Sequence, residues 1–328
     1  MGITKNKQSK ENLNKIIKNA YPNKTVASCT ELTEGLCNVA YHITFTDGYQ
    51  CILKIAAAGN QGYMSHETNL MDAEVASMGL VQGQLSASVA RIDLYDNTKT
   101  LCSGNYFFME VLEGENYFKL GNTLSAAEKE QINLQIGRLV REITSIMGET
   151  FGLLGDREHT FTSHYDFYRY LLSLVIGDAD RKKIEYFIAG QKLLALLEQD
   201  KPIFEEVQSP CLIHYDLWDG NIFVKNGQVS GLIDWERALW GDSLMEDRFR
   251  RHARNDAFLK GYGQETFTTN EMRRIYWYDI LLYLIMMTEG AYREYEDDSQ
   301  YQWVAPLFQA SLQELTQSRP DIRLPHLL

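Results

Sequence analysis

His214, Asp216, Asn221 and Asp234 are the residues whose types and spacing could do chemistry. The stretch His214-Tyr215-Asp216-Leu217-Trp218-Asp219-Gly220-Asn221 is followed, thirteen positions past its last residue, by Asp234 within Leu232-Ile233-Asp234-Trp235-Glu236. A carboxylate that can orient and deprotonate a hydroxyl, beside an amide and a second carboxylate able to hold Mg²⁺, suits phosphoryl transfer. Catalysis there is mostly positioning and charge neutralisation. The segment between the two motifs reads as a β-hairpin, two apolar runs around Asn226-Gly227, the strongest short-range hairpin signal. With those two residues as the turn, Lys225 pairs with Gln228, and Asn221 falls opposite Leu232. Alternate strand residues share a face, so Asp234 then lies one diagonal step from Asn221, at about 7 Å between Cα atoms. One ion could bridge them.

These residues need a scaffold. Leu13, Ile16, Ile17 and Ala20 have helical spacing, and Val39, Tyr41, Ile43 and Phe45 alternate as a strand. Asp47-Gly48 turns that strand back into Cys51-Ile52-Leu53-Lys54-Ile55. A helix is expected over residues 65–78, with strands at 88–94 and 106–112. Beyond Glu113-Gly114-Glu115 the pattern becomes helical: Ile132, Ile136, Leu139, Val140, Ile143 and Met147 share a face, and further helices are expected at 165–176, 184–197, 275–287 and 304–315. Strands followed by helices indicate an α+β fold.

The chain has 328 residues, 45% of them hydrophobic, enough for two domains with their own cores. The apolar stretch 275–287 is too short to cross a bilayer, and residues 1–12 lack the apolar segment of a secretory signal. Five scattered cysteines without a C-x-x-C pair argue against a disulfide framework and a zinc site, and for a reducing cytoplasm. A net charge of −12 disfavours nucleic acid as a partner. Lys54 stands among apolar strand residues, a costly position unless its charge is used.

The run from Leu212 to Ile222, with Leu232 to Asp242 after the hairpin, resembles the aminoglycoside phosphotransferase and choline kinase superfamily, whose fold is like that of protein kinases. The resemblance implies a small N-terminal nucleotide-binding lobe of antiparallel sheet plus helix (1–112) and a larger, mainly helical catalytic and substrate-binding lobe (113–328). It implies that Asp216 faces the acceptor hydroxyl, that Asn221 and Asp234 hold Mg²⁺, and that Lys54 contacts the nucleotide phosphates, with ATP as donor and GTP as the alternative. Glu67 is the expected ion-pair partner of Lys54; Glu74, seven residues on and on nearly the same helical face, is the alternative. Gly35, within Thr33 to Asn38, falls in the nucleotide-covering loop, and Glu110 and Leu112 fall in the linker whose backbone would read the adenine edge. Two departures stand out: Tyr215 where the family commonly has Gly, and Ser243 where Gly-Asp-Pro is usual.

The expected activity is therefore that of an ATP- and Mg²⁺-dependent kinase acting on a small hydroxyl-bearing molecule. Glu289, Glu294, Glu296, Asp297 and Asp298, interleaved with Tyr292 and Tyr295, would suit a cationic or sugar-like acceptor, although such charge runs are more often a solvated helix face. A fructosamine kinase-like or choline kinase-like enzyme is the nearer alternative. A nucleotide-binding regulatory module is the more distant one, disfavoured because Lys54, Asp216, Asn221 and Asp234 are all retained. Protein kinase activity is disfavoured by the lack of D-F-G and A-P-E.

Overall fold

The computed structural model describes residues 5–33 and 38–317. Helix α1 (Lys10–Ala20) starts at Ser9, whose hydroxyl accepts the Asn12 N–H, and buries Ile16 and Ile17. Strands β1 (Val26–Leu32), β2 (Val39–Phe45) and β3 (Gln50–Ile55) precede helix α2 (Leu70–Val81). After α2 come β4 (Ser88–Val89), β5 (Ile92–Asp96) and β6 (Tyr106–Glu110), completing a five-stranded antiparallel sheet in the order β1-β2-β3-β6-β5. Alternation decides which side chains go where. Val39, Tyr41, Ile43, Phe45, Cys51, Leu53 and Ile55 pack with α1 into one core, so Lys54 projects from the other face. The strand expected over residues 88–94 is divided. β4 leaves to pair in parallel with a strand of the later hairpin, while Arg91 between the halves accepts the Glu110 N–H.

The remaining elements are β7 (Glu115–Asn116), α3 (Tyr117–Leu120), α4 (Ala126–Ile143), β8 (Gly152–Leu153), α5 (His164–Lys182), α6 (Gly190–Gln199), α7 (Lys201–Phe204), β9 (Cys211–Ile213), β10 (Ile222–Lys225), β11 (Gln228–Leu232), β12 (Leu239–Gly241), α8 (Asp256–Tyr262), α9 (Thr269–Arg293) and α10 (Ser299–Thr316). A larger core joins α4, α5, α6, α8, α9 and α10 with the apolar residues flanking the motif hairpin. The expected α+β arrangement, sheet and helix first and helices after, is what the chain adopts. Met147 does not belong to the α4 face assigned to it: the helix ends at Ile143, and Met147 is 57% exposed. α4 and α8 cross closely through Gly137 and Gly261, where a Cβ on Gly137 would lie 2.2 Å from the Phe258 carbonyl oxygen. Among the described residues no helix is long and apolar enough to cross a membrane.

The β3–α2 connection departs most from expectation. The helix foreseen from Ser65 begins only at Leu70, because Asn69 takes a left-handed conformation (φ 46°) and residues 56–69 run as a loop over the helical half. Ser65 donates from its N–H and its hydroxyl to Asp178 of α5, both at 2.8 Å. Asn69 donates to the Gly155 carbonyl at 2.9 Å, and Arg293 at the end of α9 donates to Glu67.

Candidate active site

The catalytic-loop candidates are held from beneath by buried groups. Tyr215 adopts φ +67°, a region glycine enters freely and a bulky residue enters at a cost of about 1–2 kcal/mol. That conformation is fixed by Glu246, fully buried, whose carboxylate accepts the N–H groups of His214 (3.0 Å), Tyr215 (3.5 Å) and Asp247 (2.8 Å). The Tyr215 ring is also buried, so packing holds the position that glycine would hold by freedom alone. His214 donates from Nε2 to the Ile233 carbonyl at 3.0 Å, which leaves Nδ1 to accept the Asp216 N–H at 3.4 Å. Burial lowers its pKa to about 4, so this neutral tautomer persists and His214 ties the loop to the hairpin.

The hairpin carries Asn221 and Asp234 towards one another, in a register shifted from the expected one. Asn226 and Gly227, both with positive φ, form the turn and Lys225 faces Gln228 as expected. Ser230 is an extra residue between the pairs Val224–Val229 and Phe223–Gly231, and its hydroxyl donates to the Glu113 carbonyl at 2.7 Å. This bulge puts Ile222, not Asn221, opposite Leu232, and the Ile233 N–H donates to the Asn221 carbonyl at 3.1 Å. Asp234 leaves the strand through a left-handed turn (φ 67°, ψ 55°), which sets its direction instead of strand alternation. The Asn221 amide donates to the Asp216 carbonyl at 2.8 Å and its carboxylate at 3.2 Å, which turns the amide oxygen away from Asp216.

Lys54 is where the structure corrects a sequence assignment. Its ammonium donates to both oxygens of Glu74 (2.9 and 2.7 Å) and to Asp234 (2.6 Å), with Glu236 at 3.6 Å. Glu67 is not its partner. With the loop docked on the helical half, Glu67 faces Arg293 and, at 3.5 Å, Arg237, whereas Glu74 on α2 reaches the Lys54 face of the sheet. Burial alone would lower the Lys54 pKa, but Asp234, Glu74 and Glu236 outweigh it and hold the ammonium charged. Burial likewise works against Asp234, yet Lys54 keeps that carboxyl below its ordinary value. Glu74, pressed first by burial and then by the other two carboxylates, rises to about 8 in spite of Lys54. Asp216 is pushed well above the carboxylate range by burial, with Arg237 opposing and Asp234, Asp247 and Glu236 adding to the rise.

A cation fits this donor set. Glu74, Asp234 and Glu236 bring one carboxylate oxygen each within 4.8 Å of one another against a single ammonium, and all are hard oxygen donors. Glu236 also accepts from Asn38 at 2.7 Å, at the edge of the segment carrying Gly35, which lies outside the described residues. Glu110 ends β6 beside Cys51 and spends its N–H on Arg91; Leu112 follows in irregular chain against Gly231. Sequence reasoning passed over Glu236, Arg237 and Glu246. Glu236 could have been flagged by its two-residue spacing from Asp234; nothing local marks the other two. The terminal acidic cluster separates, with Glu289 buried and bonded by Arg237 at 2.9 Å while Glu294, Glu296, Asp297 and Asp298 are exposed.

A family model described as a phosphotransferase enzyme family matches residues 28–273. A search of curated proteins gives no match. Among solved structures, the aminoglycoside phosphotransferase APH(4)-Ia superposes with a TM-score of 0.65 at 15% identity, covering 93% of this chain and 99% of that one. A candidate fructosamine-3-kinase of Haemophilus somnus 129PT gives 0.65 at 15% identity, covering 92% and 96%. A candidate aminoglycoside phosphotransferase of Ralstonia eutropha JMP134 gives 0.61 at 10% identity, covering 94% and 98%. A thermostable variant of APH(4)-Ia, at a TM-score of 0.64 and 15% identity, was solved with ADP and hygromycin B. Likeness at these identities is likeness of fold, and the fold is the kinase-like one.

Proposed function

Because the chain belongs to the phosphotransferase enzyme family, we propose that it is an ATP- and Mg²⁺-dependent cytoplasmic kinase that moves the γ-phosphate onto a hydroxyl of a small molecule. The observation that carries this reading is the convergence of Lys54 and Asp234 at 2.6 Å and of Asn221 and Asp216 at 3.2 Å, from three separate segments, strand β3, the loop before β10 and the turn after β11. The part up to residue 112 would bind the nucleotide, with Lys54 on its phosphates and the backbone near Glu110 and Leu112 on its base. The part from 113 onward would supply the chemistry and the acceptor site. Asp234 and Asn221 would hold Mg²⁺, with Glu236 beside them, and the ion when bound would neutralise charge on the β- and γ-phosphates.

Asp216 orients the acceptor hydroxyl and takes its proton as the oxygen bonds to the γ-phosphorus and the bridging bond to ADP breaks. The environment that raises the Asp216 pKa makes its carboxylate a stronger base for that proton. His214 and Glu246 set the height and direction of the loop. Nucleotide complexes of the APH(4)-Ia fold relative support the donor part of this reading. The deciding experiment measures ADP release and phosphorylated product across hydroxyl-bearing acceptors. Asp216→Asn and Asp234→Ala should each abolish turnover, and a variant that kept full turnover would refute the mechanism. Mg·AMP-PNP binding without any product would favour a regulatory module instead.

A further inference from the structure

A cavity of about 240 Å³ lies between the β3–α2 loop and helices α5 and α9, with Asn60, Tyr63, Glu67, Asp178, Arg181 and Tyr292 among its walls. It adjoins the candidate chemistry through Glu67, which is 3.5 Å from Arg237 in the turn that follows Asp234 and carries Glu236. At about 30 Å³ per water the space equals about eight water molecules, room for one sugar-sized ring and below the range of drug-sized pockets.

The charges around it are already matched. Asp178 accepts from Ser65, from Tyr292 at 2.8 Å and from Arg181. Glu67 accepts the Met64 N–H at 2.9 Å and faces Arg293 and Arg237, and Glu289 faces Arg237 at 2.9 Å and accepts from Gln300 at 2.6 Å. Three carboxylates thus meet three guanidinium groups. An amine drawn to any of these carboxylates would have to displace an arginine and leave a buried charge unpaired, which is strongly unfavourable. The exposed acids after α9 are not part of the cavity wall, and water and salt screen them. The rings of Tyr63 and Tyr292 offer apolar faces, and Asn60 offers a hydrogen-bonding amide at the loop side.

We propose that this cavity receives the phosphate acceptor, and that the acceptor is a compact, single-ring polyhydroxylated molecule without surplus positive charge, so that multi-ring polycationic aminoglycosides are not substrates. This rests on the kinase reading above. The test uses the full chain with Mg·ATP and measures ADP release at about 1 mM, the top of the usual KM range, of myo-inositol, D-glucose or N-acetyl-D-glucosamine, and of hygromycin B or kanamycin. Stimulation by a single-ring compound and by neither aminoglycoside is expected. Asn60→Trp, which places an indole at the cavity mouth, should bring the ratio of stimulated to basal rate down to about one, because the acceptor-dependent part falls about a hundredfold, as displacement of a reacting group does. Asn60→Ala should leave a ratio well above that of Asn60→Trp, since it removes one hydrogen bond and fills no space. Using the ratio within each variant removes differences in folded fraction. Stimulation by either aminoglycoside, no response to any single-ring compound while basal hydrolysis is intact, or an unchanged ratio in Asn60→Trp would overturn the acceptor assignment. Loss of both Mg·AMP-PNP binding and basal hydrolysis would instead overturn the kinase reading on which it rests.

Discussion

Replacing Glu74 by Gln tests which of two candidate acids, Glu74 or Glu67, serves Lys54. Glu74 holds the ammonium at 2.9 and 2.7 Å, while Asp234 and Glu236 remain at 2.6 and 3.6 Å when it is neutralised. The substitution keeps the volume and one acceptor oxygen, so the loss is one charge-assisted hydrogen bond, about 1.5–3 kcal/mol. Because burial has already raised Glu74 to about 8, most of its charge is absent at neutral pH, and the bottom of that range applies. About 1.5 kcal/mol, if expressed in positioning the phosphates, is about a 12-fold fall in kcat/KM for ATP. Glu67→Gln should behave oppositely. It breaks the pairing with Arg293 and Arg237, a buried ion cluster worth about 3–5 kcal/mol when one partner is removed, so Tm falls while KM for ATP stays in place. ADP release against ATP concentration, with a thermal melt of each protein, reads both effects. A raised KM for ATP in Glu67→Gln together with an unchanged one in Glu74→Gln would refute the assignment of the lysine partner.

Two further outcomes follow from buried positions. Burial raises the Glu246 pKa from 4.5 to about 7, so its stabilising contribution is complete below 4.5 and lost as pH rises through 7, a loss of about 3 kcal/mol at full titration. Melts at pH 5 and pH 8 should therefore show a smaller decline in Glu246→Gln than in the parent chain, and equal declines would remove Glu246 from this account. Gly137→Ala would put a Cβ 2.2 Å from the Phe258 carbonyl oxygen and 2.5 Å from the Tyr262 nitrogen, both backbone, so α4 and α8 must part. Denaturant unfolding should show a loss of about 3 kcal/mol, at the upper end for an overpacked core.

Much of the scaffold was legible because it is periodic. Alternation in Val39 to Phe45 and Cys51 to Ile55 named the buried face of the sheet and left Lys54 on the other, and the Asn226-Gly227 turn was located to the residue. What failed was decided by contacts far away in sequence. The Ser230 bulge depends on a carbonyl at Glu113, and the start of α2 depends on a loop bonded to Asp178 and Arg293. On helical spacing Glu67 is the favoured partner of Lys54 and Glu74 the alternative, and tertiary docking takes Glu67 out of the helix. Tyr215 was visible as a departure from glycine, but its reason, a left-handed residue held by Glu246 from 31 positions away, was not.

The docked β3–α2 loop also bears on how far the two halves are separable parts. Residues 56–69 leave the sheet but spend their polar groups on α5, α9 and Gly155, so cutting the chain between the lobes would strand Asp178 and Arg293 on one fragment and Ser65 and Glu67 on the other. Each half expressed alone would leave these buried groups without their partners. A chimera that took its sheet from one relative and its helices from another would have to inherit this loop together with the helices it grips, or lose the hydrogen bonds and the Glu67–Arg293 ion pair between them.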